Sequence, residues 1–175
     1  MAEDKQPWMN WMALSTVIIA VCATLSTGKS GGFSTHAVLA QSKASDQWAY
    51  YQAKGVKENL YAMEVERMGL RLKTEKLGQH EQLFLQDYLT QIKSKVKKYA
   101  DQKKAIAAKA QVLEKERDLA QRQGKPFASA TIVLQIAIML SSVAGLLKKQ
   151  PLWWAGLLAG LWGLILFADG FFMFF

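Results

Sequence analysis

The chain has 175 residues, 51% of them apolar and 21% charged, with a formal net charge of +8. The two kinds are segregated: residues 29–125 hold 19 of the 22 basic and 11 of the 14 acidic side chains, whereas 11–28 and 127–147 carry no charge and 152–175 only Asp169. That distribution excludes a single soluble globule and a disordered tail protein, and the lone Cys22 excludes an intrachain disulfide scaffold.

In chain order, the first apolar stretch runs from about Trp8 to Thr27. A bilayer core of about 30 Å takes about 20 helical residues, so this stretch reads as a span. Trp8 and Trp11 mark one end, and Gly28–Phe33 is expected to break the helix and act as its exit hinge. Glu3 and Asp4 stand where a signal peptide carries positive charge, and bulky Val21 precedes Cys22 where lipoprotein processing takes a small residue. The stretch is therefore expected to be retained as a span. Residues 127–147 and 152–175 are the second and third spans, joined by the polar turn Lys148-Lys149-Gln150-Pro151 into an antiparallel pair. Trp153 and Trp154 then fall at the interface marked by Trp8 and Trp11, forming an aromatic belt. The expected fold class is an all-α membrane protein: three transmembrane helices, with a long antiparallel coiled-coil hairpin between the first and second. Its parts are 1–28, 29–126 and 127–175.

The segment 29–126 has no proline before Pro126 and shows seven-residue spacing on two arms. On the first arm the stripe is Ala49, Val56, Met63, Leu70 and Leu77, interleaved with Ala53, Leu60, Arg67 and Thr74. On the second it is Leu85, Ile92, Tyr99, Ile106, Leu113 and Ala120, interleaved with Leu89, Val96, Lys103, Ala110 and Arg117. A turn near Gly78-Gln79-His80 pairs Leu70 with Leu89, Met63 with Val96, Leu60 with Tyr99 and Ala53 with Ile106. Arms of roughly 40 residues would be about 60 Å long.

Other motifs have plain readings. Ala23–Ser30 fits a loosened phosphate-loop pattern but starts inside a span, with no strand before it. The basic run Lys93, Lys95, Lys97, Lys98, Lys103, Lys104 and Lys109 could take nucleic acid or anionic lipid, but the pairing sets Glu58, Glu64 and Glu66 beside it. An ion-paired, solvated face is the simpler reading, and a nucleic-acid partner is disfavoured. His36 and His80 have no second ligand at metal spacing, and no nucleophile–base or carboxylate pair points to catalysis. No cofactor, metal or enzyme activity is implied. Gly156, Gly160 and Gly163 in the third span, and Ala137, Ser141 and Gly145 in the second, let helices approach closely, either within the pair or against a neighbouring copy. The trio Trp48, Tyr50 and Tyr51 is too wide for one seam and is expected to pack against another chain or the membrane-proximal end of the return helix.

The string Ala44-Ser45-Asp46-Gln47-Trp48-Ala49-Tyr50-Tyr51-Gln52-Ala53-Lys54, after Val21-Cys22-Ala23-Thr24-Leu25-Ser26, resembles domain-of-unknown-function family 4337. The likeness covers the whole layout and implies a bacterial cytoplasmic-membrane protein; it carries no activity or site residues.

The expected function is a non-enzymatic, homo-oligomeric membrane scaffold whose partners are the lipid bilayer and further copies. The alternatives are a subunit of a channel or ion-driven, stator-like machine, and an accessory subunit of a larger membrane complex. An ion path would have to use Thr131, Ser141, Ser142 or Asp169. Asp169 is the only ionisable residue in a span, but Gly170 and the chain end follow closely. It is expected to anchor the third span near the level of Lys29, Arg122 and Lys125. Lys29, Lys43, Lys115, Arg117, Arg122 and Lys125 flank the spans on the hairpin side, against Lys5, Lys148 and Lys149 opposite. That balance favours a cytoplasmic hairpin.

Overall fold

The computed structural model describes residues 7–172, which form α1 (Pro7–Thr74), α2 (Gln79–Leu147) and α3 (Gln150–Phe172). Glu3, Asp4 and Lys5, and the last three residues of the third apolar stretch, lie outside the described residues. Each helix contains a stretch long and apolar enough to cross a membrane. The chain forms two compact units: one holds the chain up to Val38 and from Arg117 onward, the other Leu39–Glu116. They divide after Val38 on α1 and before Arg117 on α2, both inside the charged segment bounded by the change in composition at 28 and 126.

The expected break at Gly28–Phe33 is absent, because α1 continues through it. Glycine in a helix costs only about 1 kcal/mol relative to alanine, too little to interrupt a long cooperative helix. Nor do these glycines serve close packing, since a Cβ at Gly28, Gly31 or Gly32 would meet nothing within 4 Å. Pro126 likewise lies inside α2. It removes one amide donor, the one that would have met the Arg122 carbonyl, yet the helix runs on to Leu147.

In the unit Leu39–Glu116, α1 and α2 pair antiparallel through the link at residues 75–78, slightly before the expected turn at 78–80. Glu81 Oε2 accepts the Gly78 amide at 3.3 Å, so the third residue of α2 caps its own start. Arg71 and Lys73 close the last turn of α1, where cations oppose the helix dipole. On α2 the expected stripe is the buried one: Leu85, Leu89, Ile92, Ile106 and Ala110 all face inward. On α1 it is not. The buried and half-buried residues include Ala44, Trp48, Tyr51, Gly55, Glu58, Tyr61, Ala62, Val65, Met68 and Leu72. Val56 (60%), Leu60 (57%), Met63 (60%) and Leu70 (62%) are exposed instead. The stripe is offset by two residues, about 200° around a helix, so the aliphatic face points outward. Consequently Met68 meets Leu85 and Leu89, and Tyr61 rather than Leu60 meets Tyr99.

In the other unit the three apolar helices pack together. Ile19 and Ala23 of α1 join Leu134 and Ala137 of α2, with Cys22, Ile138, Ala159 and Leu164 against them. Cys22 is thus a packing residue. The α2–α3 connection is two residues long. The Lys149 amide donates to the Ala144 carbonyl at 3.1 Å and the Lys148 amide to that of Gly145 at 3.4 Å, a Schellman closure with Lys148 at φ 51°. Pro151 is the second residue of α3 rather than a helix breaker, as its fixed φ suits the first turn.

Candidate functional site

The seam of the hairpin unit is polar and aromatic where a coiled coil is usually aliphatic. Trp48 Nε1 donates to Glu114 Oε1 at 2.9 Å, and its ring meets Tyr51 edge-on at 5.5 Å. Lys103 Nζ pairs with Glu58 Oε2 at 2.9 Å and lies 4.8 Å from the Tyr51 ring centre. Tyr61 and Tyr99 stack at 5.7 Å; Lys95 lies over Tyr61 at 5.2 Å and Lys54 over Tyr99 at 5.4 Å. The lysine stems cover the rings while their ammonium groups reach a carboxylate, a π face or water. This ladder fixes register by matching particular partners, which an aliphatic seam does weakly. Of the expected trio, Trp48 and Tyr51 are therefore used inside the chain. Tyr50 stays half exposed beside Lys54. Of the three glutamates expected beside the basic run, Glu58 takes Lys103 while Glu64 pairs with Arg67 on its own helix at 2.9 Å.

The hydrogen bond with Glu58, opposed by partial desolvation, holds the Lys103 ammonium above the usual lysine value of 10.5. A raised folded value means the pair's contribution is complete below the unfolded lysine range and is lost as pH rises through the folded value. The hairpin is therefore expected to lose thermal stability above about pH 10 in a Lys103-dependent way. Thermal melts across alkaline pH check this: Lys103→Met should flatten the decline, and an unchanged decline would count against the pairing.

In the three-helix unit the small residues meet one another. A Cβ at Gly156 would lie 3.2 Å from the Ala137 carbonyl and 3.3 Å from the Ser141 amide, both backbone atoms of α2. One at Gly163 would lie 3.2 Å from the Leu134 amide, and one at Gly160 2.6 Å from Ile19 Cδ1 of α1. Gly145 receives the Met12 methyl. Ala137 and Ser141 are buried beneath these contacts, and Ser141 Oγ has no hydrogen-bond partner among the described residues. The small-residue faces are thus occupied within one chain.

At one end of this unit Trp153 stands 6.1 Å from Trp8 and 5.4 Å from Trp154, and its Nε1 donates to Ser15 Oγ at 3.3 Å. Trp11 is exposed nearby in sequence. The other end carries a cluster the sequence reading missed. Phe127, 2% exposed, contacts Phe33 at 6.0 Å, Phe167 at 6.0 Å and Phe171 at 5.2 Å. Gly170 and Gly124 provide the seats, facing Phe127 and Phe33 respectively. Buried Ser26 donates to the Phe127 carbonyl at 2.8 Å, tying α1 to α2. Lys29 Nζ sits 5.7 Å from the Phe171 ring centre, and Asp169, 5% exposed, lies one residue before Gly170 and is not without a partner. The available signal was the pairing of each glycine with a phenylalanine and the four-residue spacing of Phe167 and Phe171.

His36 and His80 are both exposed, and among the described residues no three His, Cys, Asp or Glu side chains are grouped to hold a metal. Thr131 and Ser142 donate to the carbonyls of Phe127 and Ile138 on their own helix. Compared with known proteins, the chain matches none of the curated proteins and none of the solved structures searched. A family model does match, covering residues 8–173, nearly the whole sequence. With its apolar helices, its Asp46-Gln47-Trp48 segment and the charged hairpin all inside that match, the chain belongs to the family described as Domain of unknown function (DUF4337).

Proposed function

We propose that the chain is a non-enzymatic, homo-oligomeric scaffold of the bacterial cytoplasmic membrane, its hairpin unit on the cytoplasmic side as the flanking lysines and arginines favour. One observation carries this reading: Val56, Leu60, Met63 and Leu70 form a heptad-spaced aliphatic stripe on α1 that the hairpin leaves uncovered. A contiguous row of exposed large apolar side chains on a helix of the charged segment marks an interaction surface. Asp169 favours a second reading, an ion-driven subunit, since a buried carboxylate in an apolar helix is a common proton or ion site. Its position at the Phe127–Phe171–Lys29 end supports anchoring instead. Placement as an accessory subunit of a larger complex would appear as a foreign chain in the purified assembly.

Native mass in mild detergent tests the scaffold. The expected mass is two or more copies of the 19.6 kDa chain, and a strict monomer overturns the reading. Proton flux in liposomes separates the second reading. Asp169→Asn is expected to leave flux at background and to loosen the assembly modestly; flux abolished by that change with assembly intact would establish the ion-driven role.

A further inference from the structure

Resting on the scaffold reading, we infer that a second copy of this chain occupies the outer stripe of α1, the two α1 helices running parallel and in register from Ala49 to Thr74. Read as a coiled coil of its own, this face has Ala53, Leu60, Arg67 and Thr74 at the a positions and Ala49, Val56, Met63 and Leu70 at the d positions. It lies opposite the hairpin seam, so both faces of α1 are used at once. The four aliphatic members are all more than half exposed, although the same helix buries smaller and more polar groups such as Gly55 and Glu58 on its inner face. Heptad spacing selects a helix as the occupant, because only a helix presents apolar side chains at matching intervals over several turns.

Direction follows from insertion. α1 is one uninterrupted helix from its apolar start to Thr74. Two copies inserted in the same sense therefore run parallel. The flanks agree: Lys57, Glu64 and Arg71 lie along one edge of the stripe, and Asn59, Glu66 and Lys73 along the other. In parallel register Glu66 comes opposite Arg71 of the second copy, an attractive pair that releases Arg71 from its exposed bond to Glu75. Arg67 is the discordant member. Exposed and tied to Glu64 at 2.9 Å, it would face its counterpart in the same layer. A charged residue at an a position inside the stripe fixes register while weakening association.

The test uses the full chain in a Cys22→Ser background, solubilised in mild detergent and oxidised with copper phenanthroline. Met63→Cys is expected to give a covalent dimer, because symmetric d positions meet in a parallel pair, and Ala108→Cys on α2 is not. Adding Leu60→Asp to the Met63→Cys chain should weaken association about tenfold, and adding Arg67→Leu should strengthen it. Both sites are exposed, so native helicity by circular dichroism should hold. If the native mass is dimeric or larger but Met63→Cys stays uncrosslinked, or Leu60→Asp changes nothing, this interface is wrong and the scaffold stands. Crosslinking only between mixed Leu60→Cys and Met63→Cys chains overturns the parallel register. A monomeric mass overturns both.

Discussion

A Phe127→Ala chain is expected to lose about 3 kcal/mol of stability, among the largest losses available to a single substitution here. Phe127 is almost fully buried, its ring touched by Phe33, Phe167 and Phe171 and seated on Gly170. In detergent the surroundings are already apolar, so the transfer part of the usual penalty shrinks. The cavity and lost dispersion contacts remain, which places the loss at the lower end of the range for phenylalanine truncation. Truncation would also leave Phe33 without its stacked partner. Tryptophan emission followed during titration with a denaturing detergent measures the change, and Leu146→Ala, at 83% exposure, is the control expected to show none. Equal behaviour of the two variants would mean that the cluster is not a packing centre.

Gly156→Leu is expected to cost roughly as much, about 3 kcal/mol, by separating α3 from α2. The deciding fact is what the new side chain would strike. At Gly156 two of the nearest atoms are backbone, the Ala137 carbonyl and the Ser141 amide, and backbone cannot yield without moving the helix. At Gly160 the nearest atoms are Ile19 Cδ1 at 2.6 Å and Cγ1 at 3.3 Å, a buried side chain that can shift without moving a helix backbone. Gly160→Ala should therefore cost about 1 kcal/mol or less, helped by the better helix propensity of alanine. The same denaturing titration checks the order; a Gly160→Ala chain less stable than Gly156→Leu would contradict it.

The contrast between the two arms of the hairpin shows what a sequence carries and what it hides. On α2 the aliphatic residues Leu85, Leu89, Ile92 and Ile106 lie on the face that is buried, so their spacing alone locates the seam. On α1 the same rule selects Val56, Leu60, Met63 and Leu70, and the structure turns these outward. Its inner face is built from Trp48, Tyr51, Gly55, Glu58, Tyr61 and Ala62, whose pairing depends on rings, ammonium groups and carboxylates across the seam. Periodicity of aliphatic residues registers none of that. The three apolar helices were legible because length and lack of charge are properties of a segment alone. The Phe127 cluster was not, because it is assembled from three helices whose relative rotation no single segment encodes.

The two-residue connection between α2 and α3 limits how the three-helix unit can rearrange. Sliding one helix past another by a turn takes about 5.4 Å, and a link held by two capping hydrogen bonds, with Lys148 in the left-handed region, has no slack to supply it. Gly156 locked against the Ala137–Ser141 backbone removes the sideways freedom as well. The pair α2–α3 therefore moves as one body, and the remaining degree of freedom in this unit belongs to α1. What resists that motion is specific: Ser26 on the Phe127 carbonyl, Trp153 on Ser15, Ile19 over Gly160, Met12 over Gly145 and the Phe33–Phe127 stack. Only two of these are hydrogen bonds, one donated by Ser26 and one accepted by Ser15, so a one-turn slide of α1 would chiefly have to unseat Ile19, Met12 and Phe33 from their packing.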